Sequence, residues 1–152
     1  MARVYALALS IVVIFLALGC EMAADQKLYL ATDALRQGQW DRAIELSTQL
    51  LHAGNIQPQD RVRFLVGAHT IRGAAYRDKG DFTRALQDFD QAIKLNPKWA
   101  GVYVERSLLY EKQGLWAKAL ADLQKADQLD PQGAGERLLR LRRLKAKVAG
   151  GS

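Results

Sequence analysis

Cysteine occurs once in these 152 residues, at Cys20, and proline three times, at Pro58, Pro97 and Pro131. A single thiol cannot close an internal disulfide, and without a CxxC pair there is neither a zinc knuckle nor a dithiol redox site. Histidine is nearly as scarce, with only His52 and His69. There is no glycine-rich phosphate loop, HExxH pair or GxSxG elbow, so the usual frames for a nucleotide, a catalytic zinc or a serine nucleophile are missing. Acidic residues are absent from the first twenty positions, where Arg3 is the only charge. With so thin an inventory, no catalytic residue, metal ligand or cofactor is expected.

What is present starts with an apolar run. The stretch from Val4 to Cys20, VYALALSIVVIFLALGC, carries no charge. It is at the short limit for a bilayer span, which takes about 20 residues. A secretory signal has a basic start, an apolar core and small residues before its cut. Arg3, the run itself, and Ala17 with Gly19 supply all three. A buried helix of a globular domain would show a polar face, and this run has none.

The closing ALGC resembles the lipobox of bacterial lipoproteins, with Ala17 where leucine is usual. The resemblance implies a signal over residues 1–19, acyl chains on Cys20 and a short linker over 20–23. The alternatives are an uncleaved single-helix anchor with an incidental cysteine, and a buried structural cysteine. In both membrane readings the positive end stays in the cytoplasm, so the rest of the chain lies across the inner membrane. Lipoproteins kept at the inner membrane resemble one another in having Asp after the cysteine. Glu21 stands there here, which implies the outer membrane facing the periplasm, with inner-membrane anchorage on the periplasmic side as the alternative.

Three later stretches align: RQGQWDRAIEL from Arg36, RDKGDFTRALQDF from Arg77 and EKQGLWAKALADL from Glu111. Their glycines are Gly38, Gly80 and Gly114. The step from Gly80 to Gly114 is about 34 residues, a period that marks stacked helix pairs. The step from Gly38 to Gly80 is longer by a little over two helical turns. Aromatics follow at Trp40, Phe82 and Trp116, and alanines at Ala43, Ala85 and Ala119. Paired helices at this period are the mark of tetratricopeptide repeats, and the chain resembles that family over roughly residues 24–131.

Residue by residue, the second unit carries Gly73, Tyr76, Gly80, Ala85, Phe89, Ala92 and Pro97 at the family's positions. The third carries Tyr103, Ser107, Tyr110, Gly114, Ala119, Leu123, Ala126 and Pro131. The first departs most, with Lys27 and Ser47 replacing large residues, though Leu30, Ala31, Ala34, Trp40 and Ala43 fit. Arg72 and Arg106 stand where the pattern has leucine. The resemblance implies an all-α helix-turn-helix solenoid of about three repeats: 24–57, 58–97 with a lengthened first helix, and 98–131. In that reading the small residues let paired helices approach, the aromatics fill the space between neighbouring helices, and Pro58 sits in the first turn of a helix running to about Lys79.

Residues 132–152 read as a terminal amphipathic helix. Leu138, Leu141, Leu144 and Val148 form one stripe, with Arg140, Arg143 and Lys147 on the other side as a basic face. A repeat array needs such a helix to close its stack; the same basic face could instead dock on anionic lipid or an acidic partner. His69 is expected to pack between repeat helices and His52 to favour a helix end. Asp88 and Asp90 are expected to be solvated.

Helices that come first in each repeat line a concave groove in this family. The corresponding positions here are Leu28, Thr32 and Leu35, then Thr70, Ala74 and Arg77, then Val104, Leu108 and Glu111. Leu28 and Thr32 stand where the chaperone-tail type of groove has its Lys and Asn clamp, so the resemblance implies an apolar or helical protein segment as ligand. The expected protein is therefore a non-catalytic binding scaffold, tethered to the membrane by lipid and working in the cell envelope. It would assemble or stabilise a multi-subunit envelope machine or act as an adaptor for cell-wall-synthesis enzymes. No nucleic-acid partner is expected despite the net charge of +6, because export removes the domain from it.

Overall fold

The computed structural model describes residues 24–54 and 56–150. Cys20, the apolar run before it and the expected cut after Gly19 lie outside the described residues. Among these there are seven α-helices and no strand: α1 over 24–36, α2 Trp40–Leu51, α3 Pro58–Asp78, α4 Phe82–Leu95, α5 Ala100–Lys112, α6 Trp116–Leu129 and α7 Ala134–Ala149, the last entered through a 3-10 turn, Pro131–Gly133. No helix among the described residues is long and apolar enough to cross a membrane.

Glycine sets the turns. Gly38, Gly80 and Gly114 have φ of 70°, 86° and 71°, and they end α1, α3 and α5. A side chain is strained in that left-handed region, so glycine stops the helix there at least cost. The next N–H then reaches back to close the last turn: Gln39 to the Ala34 carbonyl, Asp81 to Tyr76 and Leu115 to Tyr110, at 2.8–2.9 Å. Asp81 also caps α4 by accepting from the Arg84 backbone N–H at 3.0 Å. Pro58 occupies the first turn of α3, where its missing N–H would have had no intrahelical partner.

The extra residues before the second repeat are helix. α3 runs for 21 residues against 13 in α5. Its added turns carry Phe64, only 1% exposed, which packs with Ala24, Leu50, Ile56 and Ala68 and so ties α3 to the first helix pair. α3 then packs on α2 and α4, and α5 on α4 and α6, around a central cluster that includes Phe89, Val102, Tyr103 and Leu109.

Within each pair the contact residues trade volume. A Cβ added at Gly73 would stand 2.9 Å from the Phe89 ring and 3.1 Å from the Ala85 carbonyl oxygen. In the next pair the equivalent positions are Ser107 and Leu123, a larger residue facing a smaller one; in the first pair they are Ala31 and Ser47. All six are buried. Ser47 is the odd member, because its buried hydroxyl has no hydrogen-bond partner among the described residues.

Four expectations need correction. Trp40 is 40% exposed and lies over the turn at Gly38 instead of between helices. Asp88 is 4% exposed, not solvated, because basic side chains on α3 surround it. On α7 only Leu141 and Leu144 of the apolar stripe are buried, joined by Arg137, whereas Leu138 and Val148 are more than two-fifths exposed. The α7 backbone comes close only to α6 and the 3-10 turn, and its side chains reach α5 from one side only, which is too narrow a seat to cover the whole stripe. Arg140, assigned to the solvated face, is half-buried and folded onto α5.

Candidate functional site

The last turns of α3 and α5, the start of α6 and the C-terminal half of α7 enclose an open pocket of about 440 Å³. Leu108 and Trp116 give it an apolar floor. Around them stand Arg77, Asp78, Glu111, Lys112, Arg143 and Lys147.

Both acids of the pocket are already occupied. Asp78 accepts from the Arg77 guanidinium at 3.0 Å, through two bonds, and from Lys112 Nζ at 3.0 Å. Burial raises its pKa, but the Arg77 and Lys112 hydrogen bonds outweigh that and hold the carboxyl below its ordinary value. Arg77, itself 7% exposed, also donates to Glu105 and so fastens α3 to α5. Glu111 accepts from Arg140 Nε at 3.1 Å and from Arg143 at 2.6 Å, fastening α7 to α5. Lys147 has no carboxylate partner among the described residues; its Nζ lies 5.4 Å from the Trp116 ring centre, a cation–π distance. The lining therefore keeps an excess of positive charge beside an indole face.

Of the nine expected groove positions, the pocket gathers three: Arg77, Leu108 and Glu111. The others are placed elsewhere. Ala74 is fully buried in the central cluster and offers no surface. Leu28 and Leu35 are half-buried against core clusters, and Val104 packs between two of them. Thr32 and Thr70 turn their hydroxyls onto the carbonyls of Leu28 and Val66, at 2.8 and 2.7 Å. Of the basic face, Arg143 and Lys147 line the pocket, and Arg140 acts behind it through Glu111.

Asp78 and Lys112 escaped the sequence reading, although a signal existed. They occupy the same position in successive repeats and are opposite in charge, so adjacent first helices bring them together. Trp116 had been expected only as packing.

A second set of polar groups recurs with the repeat. Arg72 binds Asp88 through Nε and Nη2, both at 2.8 Å, and its Nη1 reaches Thr48 on α2 at 3.2 Å. Arg106, one repeat further on, binds Asp122 in the same two-pronged way at 2.7 and 2.8 Å, and its Nη1 reaches Asp90 on α4 at 2.7 Å. Each arginine thus holds its own pair's second helix and the second helix of the pair before it. His69 Nδ1 lies 2.8 Å from Asp88. Burial raises the Asp88 pKa, yet the bonds from His69 and Arg72 hold it below the usual carboxylate value. These groups open onto a cavity of about 470 Å³ with Tyr76, Arg84, Gln87 and Gln91. Its lining side chains include no Ser, Thr or Cys. Among the described residues no cluster of His, Cys, Asp or Glu could hold a metal ion.

Residues 66–98 and 100–132 each match the family model of the tetratricopeptide repeat. No curated protein sequence matches the chain. Among solved structures it is similar to the first TPR domain of human RPAP3, at TM-score 0.70 and 22% identity over 85% of this chain and 94% of that one. It is similar also to the first TPR of Spaghetti bound to the HSP90 peptide SRMEEVD, at TM-score 0.67 and 23% identity over 84% and 94%. The TPR2B domain of yeast Sti1 in its pHsp70 complex gives 0.66 and 19% over 86% and 99%. At these identities the likeness is one of fold. The chain therefore carries two tetratricopeptide repeats within an all-α solenoid of that kind, ending on a C-terminal helix.

Proposed function

We propose that the chain is a non-catalytic protein-binding scaffold of the bacterial envelope, tethered through Cys20. Its ligand is a protein segment that seats an apolar side chain on Leu108 and Trp116 and turns one or more carboxylates toward Arg143 and Lys147. The carrying observation is this pocket, in which an apolar floor is rimmed by more cations than acids. The acid-rich peptide SRMEEVD held by Spaghetti supports a ligand of this chemistry on this fold. Leu28 and Thr32 supply no cation at the far end of the groove, so the acid-binding end lies instead beside α7.

A photo-crosslinking residue at Leu108 in intact cells tests the site. It is expected to yield a protein adduct whose amount falls several-fold in Lys147→Glu, an exposed change that should leave stability within about ±0.5 kcal/mol. No adduct, or one indifferent to Lys147→Glu, would reject the pocket as the binding site. The identity of the adduct separates an envelope-machine subunit from a cell-wall-synthesis enzyme.

The tether and its outer-membrane destination rest on the N-terminal sequence: the apolar run, ALGC and Glu21. Several acyl chains anchor stably where one binds only marginally. Cys20→Ser is accordingly expected to abolish labelling by an alkyne fatty acid and to release or mis-process the protein. Unlabelled wild type that keeps Met1 would point to the uncleaved helical anchor, and co-fractionation with inner-membrane markers would overturn the outer-membrane placement.

A further inference from the structure

The cations of α7 have different surroundings. Arg137, Arg140 and Arg143 are bound to Asp127, Asp130 and Glu111 of the fold, and Lys147 lies against Trp116. Arg142 and Lys145 are exposed and meet no carboxylate among the described residues. Around a helix of about 3.6 residues per turn, Arg142 falls between Leu138 and Leu139, with Ala146 and Ala149 beside it and Lys145 at the edge. That face lies opposite the buried Leu144 and borders the buried Leu141. It leaves Leu139 74% exposed and Leu138 45% exposed. Residues 137–150 contain no acid at all.

We infer that this outward face of α7 rests on an anionic bilayer surface. Two exposed leucines flanked by basic side chains, on one helix whose opposite side is fixed to a folded domain, have the make-up of an interfacial helix. The leucines would enter the headgroup–acyl boundary. Arg142 and Lys145 would lay their stems along it and place their charges among lipid phosphates. The face is the convex outside of a single helix; the recesses lie beside it, one over Trp116 at Arg143 and Lys147 and one of about 310 Å³ along Arg143, Ala146, Lys147 and Gly150, and neither takes in Leu138, Leu139 or Arg142. A second copy of the same face is disfavoured by like charge. The bilayer needs no matching groove, and its phosphates complement the unpaired cations.

This contact belongs to α7 and does not depend on which segment fills the pocket or on lipid at Cys20. The full chain, as Cys20→Ser with Leu139→Cys, is labelled with an environment-sensitive fluorophore and incorporated into vesicles. Insertion by the N-terminal apolar run is common to every arm, so comparison of lipid compositions isolates α7. Phosphatidylglycerol-rich vesicles are expected to shift the label to the blue and raise its emission several-fold, and neutral phosphatidylcholine vesicles are expected not to. Salt should reverse the effect. Arg142→Glu with Lys145→Glu should weaken the docked state roughly 10- to 100-fold, with unchanged circular dichroism. A label at exposed Gln124 on α6 is the control and should stay aqueous. Docking of α7 on lipid is rejected if the label at 139 behaves like that at 124, if neutral vesicles serve as well, or if an acidic envelope protein shields position 139 while anionic vesicles do not.

Discussion

Replacing Asp88 by alanine is expected to lower the stability of the domain by about 3 kcal/mol, read as the urea midpoint followed by circular dichroism. The change strips the two-pronged partner from Arg72 and the partner from His69. Breaking one side of a buried ion pair leaves an uncompensated charge. Arg72 keeps about a fifth of its side chain in water, which puts the loss at the lower end for such pairs. Asp122→Ala should cost less, because Arg106 retains Asp90 at 2.7 Å whereas Arg72 retains only the Thr48 hydroxyl. Arg72→Leu together with Asp88→Leu should recover the Arg72 share of the loss, since well-packed apolar residues often replace a buried pair without loss, while His69 stays without its partner. Equal losses for Asp88→Ala and Asp122→Ala would contradict the role given to Asp90.

The same carboxylate carries an acid dependence. The Asp88 pKa is depressed on folding, so its contribution is present in full above the unfolded value of about 3.9 and is lost as pH falls through the lower folded value. Asp88→Asn should therefore be much less stable than wild type at neutral pH and should close part of that gap below about pH 3.

Gly73→Leu is expected to cost about 1–3 kcal/mol through overpacking. Its Cβ alone would stand 2.9 Å from the Phe89 ring and 3.1 Å from the Ala85 carbonyl oxygen. The ring can tilt; the carbonyl belongs to the α4 backbone and cannot. Gly73→Ala should be milder, because alanine regains about 1 kcal/mol of helix propensity over glycine. Transplanting the third repeat's solution, Gly73→Ser with Phe89→Leu, should recover most of the loss seen for Gly73→Leu. An unchanged urea midpoint for Gly73→Leu would show that α3 and α4 are not held at this contact.

Period and turn chemistry were legible because they are local. A glycine in the left-handed region, a proline after an apolar helix and an alanine where helices touch each answer to neighbours a few residues away, and the regular spacing repeats those answers. The lengthened α3 followed from the spacing of Gly38 and Gly80 in the same way. Arg72 and Arg106 were visible as departures from leucine, but their purpose was not. It depends on Asp88 and Asp122 in the following helix, and on Thr48 and Asp90 in the preceding helix pair, which only packing brings within 3.2 Å. Asp88 looked solvated for the same reason, since nothing in its own helix neutralises it.

Arg140 marks where the local reading ends. It lies one further repeat length beyond Arg106, so the repeat continues into α7 in sequence. No helix after α7 among the described residues offers the aspartate that this position requires, and Arg140 binds Glu111 and Ser107 on α5 instead. That choice, with Arg143 on the same carboxylate, swings α7 across the end of the groove, completes the pocket over Trp116 and leaves Leu138, Leu139 and Arg142 facing out. The sequence by itself determined the helix pairs, their turns and their order, because those are set by contacts within one repeat. Tertiary structure alone decided which charges are paired inside the fold and which remain at the surface, because a charge is neutralised by whichever partner packing brings within reach.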